Sequence, residues 1–214
     1  HPTLPSADAW HYRAHATFHV TARGDLGYIM TGGRSVLPID ACPLLMPSLG
    51  QLYDAVRGHD FQGAETVRLQ VGSAEDDTLI AIVPKRGQHV DLDLPIASIC
   101  LLLPNDRNRT MRGAGCVHYQ VGTHRFRVTA GSFFQVNLPQ AVRLVEIVLD
   151  HLQPQPGDRV LDLYAGVGLF SAPLAARGAQ VTAIESFGPA AVDARHNLAA
   201  MDIEIITSAV ETAL

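Results

Sequence analysis

Cysteine is scarce in this chain: Cys42, Cys100 and Cys116 are the only three, odd in number and widely spaced. They form no CxxC pair, which excludes a disulfide-stapled scaffold and a small zinc module. A reducing, cytoplasmic setting is the simplest expectation. No apolar run approaches the ~18 residues that a membrane-spanning helix needs, and the first residues lack the basic-then-apolar order of a secretory leader. A soluble chain with no membrane partner is therefore expected. Charge is thin as well, at 17% of residues, and it tilts acidic, with 16 Lys and Arg against 21 Asp and Glu for a net −5. That balance is not the signature of a general nucleic-acid binder, so any RNA contact must rest on local patches or on residues beyond this chain. What the sequence does have is apolar content, 47% of 214 residues. This is enough to bury a real core and to exclude disorder for the bulk of the chain. The length suggests two modest domains.

From Trp10 to about Gly131 the pattern is one of short strands. Tyr12 to Val20 and Leu26 to Met30 flank a Gly24-Asp25 turn, and a third strand ends at Ile39. Between Met46 and Arg57 the period changes. Leu49, Leu52, Tyr53 and Val56 share one helical face, and Gly58 suits the C-terminal cap. Val67 to Val71 and Leu79 to Val83 read as a hairpin over the polar turn Ser73 to Asp77, and Ile99 to Leu103 as a fully apolar strand. Val117, Tyr119 and Val121 alternate, turn at Gly122-Thr123 and continue through Phe126 and Val128. After Asn137 an amphipathic helix carrying Ala141, Leu144, Val145, Val148 and Leu149 stops before Pro154. Then come a strand Arg159 to Leu163, a helix near Leu169 to Arg177, a strand Gln180 to Ile184, a helix from Pro189 to about Met201, and a strand Ile203 to Thr207. This is the opening half of a parallel, doubly wound sheet. The expected architecture is an α+β central domain, about 1 to 124, followed by an α/β domain, about 125 to 214, whose sheet is incomplete. Parallel sheets bury both faces, so the chain is expected to be a fragment of something longer. An apolar face supplied by Val160, Leu161 and Ile184 would then favour self-association.

The strongest local signal is the run Val160 to Phe170, V-L-D-L-Y-A-G-V-G-L-F. A buried strand delivers Asp162, and Gly166 and Gly168 let the backbone turn tightly toward a ligand at the next helix. Glu185, ending the next strand, is placed to accept hydrogen bonds from ribose hydroxyls. Taken alone, the two glycines could form only a tight strand-to-helix turn. A dinucleotide site, and with it a nicotinamide-dependent oxidoreductase, would call for G-x-G-x-x-G, but Ser171 stands at the third position. An acid four residues before the first glycine suits S-adenosylmethionine better, because that ligand carries an ammonium and no pyrophosphate. Just upstream lies Ser132-Phe133-Phe134-Gln135-Val136-Asn137, whose aromatics are by themselves commonly core or junction packing and whose Gln135 and Asn137 could be local caps.

Together S-F-F-Q-V-N, V-L-D-L-Y-A-G-V-G-L-F, Glu185 and the A-x-x-N of Ala194 to Asn197 resemble the RNA (uracil-5-)-methyltransferase family. Trp10-His11-Tyr12-Arg13 and Ile39 to Leu44 resemble that family's central domain, so the likeness spans most of the chain. The resemblance implies a class I, Rossmann-like methyltransferase sheet and methyl transfer from S-adenosylmethionine to carbon 5 of a uridine in structured RNA, tRNA or rRNA. It implies cofactor contacts from Gln135, Tyr164 and Glu185, joined by Asp162, Gly166 and Gly168 from the reading of the strand-to-helix turn. Ala165 departs from the cysteine common in that family, at a position that is not the nucleophile. Such enzymes attack carbon 6 with a cysteine thiolate from a Ser-Cys-Asn-Pro-like stretch and remove the carbon 5 proton with a later glutamate. Neither stretch occurs before Leu214, and all three cysteines precede the cofactor motif. No catalytic residue is therefore expected within the chain, and by itself it is expected to be inactive or to act as a non-catalytic RNA- or cofactor-binding module.

The Cys-Pro-Leu at Cys42 is in some family members a fourth ligand of a [4Fe-4S] cluster. Its three companions are not found upstream here, so a buried free thiol is expected. His11, His15 and His19, four apart, share a face, but without acidic or thiol partners a solvated strand face is a better reading than a metal site. Arg107, Arg109 and Arg112 read as a basic loop after Pro104-Asn105 that could touch phosphate.

Overall fold

The computed structural model describes residues 3–33 and 35–214. The chain divides into two compact units, His1–Val117 and His118–Leu214. The division falls inside a strand, whereas the sequence suggested a boundary near 124.

The first unit contains β1 (His15–Val20), β2 (Leu26–Ile29), β3 (Val36–Pro38), α1 (Pro47–Val56), β4 (Ala64–Val71), β5 (Thr78–Pro84), β6 (Ile99–Leu103) and β7 (Arg107–Arg112). Its strands form one sheet in the order β3-β2-β1-β4-β5-β6-β7. Only β5 and β6 run parallel; the other pairs are antiparallel. Strand alternation sends Ala16, Phe18 and Val20 of β1 and Val67, Leu69 and Val71 of β4 into one core. The face of α1 read from the sequence joins them: Leu49, Leu52, Tyr53 and Val56 are all buried. Tyr53 packs its ring 4.9 Å from Phe18 and donates its hydroxyl to the Ile39 carbonyl at 2.7 Å. Gly27 lets β2 and β3 approach closely, since a Cβ there would lie 2.1 Å from the Leu37 carbonyl oxygen.

Several local expectations need correction in this unit. The cap of α1 is Arg57, in right-handed geometry, and Gly58 is not among the glycines of positive φ. The arginines 107 to 112 form the edge strand β7, not a loop. Asn105 and Asp106 both take positive φ, which closes a tight turn and lets pairing with β6 resume at Leu103 and Arg107. Arg112 turns back to donate to the Leu94 carbonyl at 2.7 Å. His15 is buried rather than solvated, with the Arg68 guanidinium 3.2 Å from its Nδ1. Among the described residues no group of three or more His, Cys, Asp or Glu is placed to hold a metal ion. Cys42 is half-buried, 3.8 Å from the Tyr28 hydroxyl.

The second unit takes in the hairpin of β8 (Cys116–Val121) and β9 (His124–Thr129), then α2 (Leu138–Leu152), β10 (Arg159–Leu163), α3 (Ser171–Ala176), β11 (Gln180–Glu185), α4 (Gly188–Asn197), β12 (Ile203–Thr207) and α5 (Val210–Ala213). The parallel sheet runs β10-β11-β12, with Asp162 beside Ala183 and Glu185 beside Thr207. This is the expected β-α-β-α-β order of a Rossmann-like sheet. Asn137 caps α2 by accepting from the Gln140 amide at 3.1 Å, and Gln153 ends it in left-handed geometry before Pro154. Val160, Val181 and Ile203 share one sheet face and pack with Leu149 and Leu174. The opposite face is partly open: Leu161 is 55% and Leu163 39% exposed. Of the three side chains expected on an open apolar face, Leu161 and Ile184 lie on that face, Ile184 beside Leu163, but only Leu161 is exposed. Alternation puts Val160 on the covered side, and Ile184 is buried. Among the described residues no helix is long and apolar enough to cross a membrane.

Candidate functional site

The carboxyl end of the parallel sheet, where open α/β sheets bind their ligands, gathers the residues singled out in the motif run. The chain leaves β10 through Tyr164, whose φ of 59° is left-handed and unusual for a bulky residue. Gly166 at φ 58° and Gly168 at φ 94° complete the turn into α3. Gly168 is also closely packed: a Cβ there would come within 2.9 Å of the Leu198 Cδ1 methyl. Backbone strain of this kind collects at functional sites.

Glu185 organises the turn. Its carboxylate accepts from the Gly166 amide at 2.7 Å and from the Phe187 amide at 2.6 Å, so one side chain ties the glycine turn to the start of α4. Asp162 sits one layer deeper and accepts from the Ser171 hydroxyl at 2.6 Å. Burial pushes its carboxyl above the ordinary aspartate value; hydrogen bonds from the Ser171 hydroxyl and amide pull it back, and the nearby Glu185 charge raises it again. Tyr164 is two-thirds exposed and donates its hydroxyl to Glu211 of α5 at 2.9 Å. That hydrogen bond holds the phenol above its usual pKa.

Between these parts lies a cleft of about 120 Å³ lined by Phe133, Phe134, Gln135, Tyr164, Gly166 and Val167, with Ala165, Leu169 and Phe170. The structure thus brings Gln135, Tyr164 and Gly166 together directly. Glu185 joins the cleft through its bond from the Gly166 amide, Asp162 precedes the turn on β10 and Gly168 closes it before α3; none of the three lines the cleft. The two phenylalanines separate in role. Phe134 is core, stacked 4.7 Å from Tyr119, while Phe133 is 67% exposed at the cleft. The cleft falls below the ~300–1,000 Å³ of whole ligand pockets, so a nucleoside-sized ligand would fill it and extend over the exposed Phe133 and Tyr164 rings. A larger hollow of about 530 Å³ borders Arg159, Leu161, Gln180, Thr182 and Glu204. It lies toward the amino ends of the strands, away from the glycine turn, and is not the candidate.

Two residues that bear on the arrangement of this site escaped the sequence reading. Asp193 of α4 is fully buried and accepts from Arg127 Nε at 2.9 Å, the Thr129 amide at 2.7 Å, the Thr129 hydroxyl at 2.6 Å and the Ser132 hydroxyl at 2.9 Å. Glu211 was missed because it meets Tyr164 only through the fold. Asn197, noted only as part of a motif, accepts from the Arg127 amide at 2.8 Å and donates to the Arg127 and Val167 carbonyls at 3.0 Å each. The signal that could have found the α4 pair is their spacing of four, which puts both on one face of the helix.

A family model described as ribosomal RNA adenine dimethylase matches residues 126–199. An RNA methyltransferase of Streptomyces coelicolor is 33% identical over 218 residues, covering 99% of this chain and 47% of the relative. The 23S rRNA (uracil(1939)-C(5))-methyltransferase RlmD of Shewanella sp. strain MR-4 is 28% identical, covering 94% of this chain and 50% of that protein. The chain therefore spans about half the length of the curated relatives it matches. Among solved structures, the tRNA (uracil-54, C5)-methyltransferase of Pyrococcus abyssi, in complex with S-adenosyl-L-homocysteine, superposes with a TM-score of 0.76 at 23% identity, over 96% of this chain and 57% of that one. The Rossmann-like methyltransferase fold and the resemblance read from the sequence are both borne out.

Proposed function

We propose that residues 118–214 bind S-adenosylmethionine at the cleft, and that the chain is the cofactor-holding part of an enzyme that methylates carbon 5 of a uridine in structured RNA. The observation that carries this reading is Glu185. Two of the roughly four lone-pair positions of its carboxylate go to the Gly166 and Phe187 amides. The others remain for the paired hydroxyls of a ribose, which sets the adenosine over the glycine turn. Gln135 and the Phe133 and Tyr164 rings then flank the ligand.

Asp162 favours this ligand over a dinucleotide. A carboxylate at the entrance to α3 repels the pyrophosphate that a nicotinamide cofactor would place there and attracts the ammonium of the methionine portion. Ser171, where the dinucleotide fingerprint wants glycine, is taken up by its bond to Asp162. When bound, the cofactor supplies an electrophilic methyl group on its sulfonium. The chain's own part is to hold and orient it.

The cysteines support a second element of the reading, that this chain alone transfers no methyl group. Residues 118–214 contain no cysteine. In the first unit Cys100 and Cys116 are buried, and burial pushes the Cys100 thiol up, away from thiolate. On this reading Cys42, half-buried beside the Tyr28 hydroxyl, is not the carbon 6 nucleophile either. The similarity to RNA methyltransferases supports an RNA partner, the three free thiols a reducing, cytoplasmic setting, and the exposed Leu161 and Leu163 self-association. Calorimetric titration of the chain with S-adenosylhomocysteine and, separately, with NAD tests the cofactor reading. Binding of the first alone is expected. Binding of NAD, or of neither ligand by a folded second unit, would overturn it.

A further inference from the structure

Asp193 and Asn197 lie one turn apart on α4, and between them they reach both walls of the cleft. All four donors to Asp193 come from the segment Arg127 to Ser132, which runs straight into the wall Phe133–Gln135. Four accepted hydrogen bonds use the capacity of a carboxylate, so this buried group has none left for a ligand. Asn197 works the other wall. Its amide nitrogen has two hydrogens, one given to Arg127 in β9 and the other to Val167 in the glycine turn. A single side chain thereby fixes the distance between the two segments. Its carbonyl oxygen adds a third bond, from the Arg127 amide.

Stability alone does not explain such an arrangement. Asp193 is 0% exposed and has one cation, Arg127, at 2.9 Å. A buried pair of this kind is commonly no more stabilising than well-packed apolar groups of the same volume. Its distinctive return is geometric, since a fully satisfied polar network admits one arrangement where apolar packing admits several. We propose that Asp193 and Asn197 are positioning residues for the cofactor cleft: they pre-set the spacing between the Phe133–Gln135 wall and the Gly166–Gly168 turn, so that the ligand does not have to order either segment on binding. This rests on the cofactor reading above for the identity of the ligand. Loose walls would have to be ordered at the ligand's expense.

The test compares Asp193→Asn, Asn197→Ala and the milder Ser132→Ala with Leu174→Ala. Leu174 packs with Ala179 and Val181 in a cluster that also takes in Phe170; it does not line the cleft, and neither Phe133–Gln135 nor Gly166–Gly168 belongs to that cluster, so its truncation lowers stability without reaching the two segments under test. Affinity for S-adenosylhomocysteine is measured by calorimetry well below each variant's melting transition, where circular dichroism reports a folded unit. The expected losses are about tenfold or more for Asp193→Asn and Asn197→Ala and a few-fold for Ser132→Ala, with Leu174→Ala within about twofold of the parent. Ligand-free hydrogen exchange should quicken at Phe133–Gln135 in Asp193→Asn and at Gly166–Gly168 in Asn197→Ala, while β11 stays protected. A merely structural role predicts that affinity follows melting temperature across all four variants, Leu174→Ala included, and that result would overturn the proposal. Unchanged exchange at both walls would overturn it too. Should the parent bind no S-adenosylhomocysteine, the cofactor reading fails, and the exchange measurements still decide whether these residues hold the walls. Should Asp193→Asn fail to fold, Asn197→Ala and Ser132→Ala carry the comparison.

Discussion

Glu185→Gln isolates the group that holds the glycine turn, because it keeps the shape of the side chain and removes only charge and one acceptor. In the parent both oxygens accept backbone hydrogen bonds, at 2.7 Å from Gly166 and 2.6 Å from Phe187. Glutamine has a single carbonyl oxygen, so whichever way the amide lies, one of these N–H groups faces an NH2 donor. A buried N–H left in that state costs about 1–3 kcal/mol, and converting the surviving bond from charged to neutral removes about 1 kcal/mol more. The second unit should therefore lose about 2–4 kcal/mol, which for a domain of this size lowers its melting temperature by on the order of 10–30 °C. Ligand binding should suffer separately. Loss of charge-assisted hydrogen bonds to ribose, at about 1.5–3 kcal/mol, weakens S-adenosylhomocysteine by about 10- to 150-fold. Scanning calorimetry reads the first effect and titration calorimetry, on the cold folded variant, the second. Melting within a degree or two of the parent would mean that the carboxylate does not hold the turn, and unchanged affinity would remove it from the ligand's reach.

Asp162 makes the opposite prediction. Its folded pKa is raised by burial, so the folded state binds the proton more tightly than the unfolded chain does, and the group's contribution is fully present below the unfolded pKa and lost as pH rises through the folded one. Asp162→Asn should flatten the pH dependence of the second unit's stability across the carboxylate range and leave it as stable or more so at neutral pH, while weakening the ligand; a steeper fall in stability with rising pH would contradict this. Gly168→Ala should destabilise more than Gly166→Ala, since both impose left-handed strain of about 1–2 kcal/mol but only Gly168 meets a neighbour, Leu198, at 2.9 Å; equal melting curves would refute the distinction. Sedimentation should show association that rises with concentration and is abolished by Leu161→Glu, because Leu161 and Leu163 stand exposed on the open sheet face. A concentration-independent monomer would rule that surface out.

What the sequence made legible was local. The Gly166 and Gly168 turn, Glu185 at a strand end and the apolar face of α1 all announce themselves within a dozen residues, where period and turn chemistry operate. Asp193 could not be read this way, because its partners are 61 to 66 residues distant. An aspartate on a short polar helix looks like solvated surface until the fold brings β9 against it. The same holds for His15, whose neighbour Arg68 is 53 residues along the chain. The arginines of β7 misled for a different reason. Polar residues on an edge strand carry no apolar alternation, and the only clue was the pair Asn105-Asp106, which tolerates the positive φ of a tight turn. At Phe133 and Phe134 the composition was right and the roles were not separable, since neighbouring residues on an extended segment point to opposite sides.

The central claim, that the second unit holds S-adenosylmethionine between Phe133–Gln135 and Tyr164–Phe170, is tested most directly by ultraviolet cross-linking with methyl-labelled cofactor followed by peptide mapping. Label should fall on peptides that carry Phe133 to Gln135 or Tyr164, and unlabelled S-adenosylhomocysteine should compete it away. Label confined to the first unit, or spread without competition, would contradict the account.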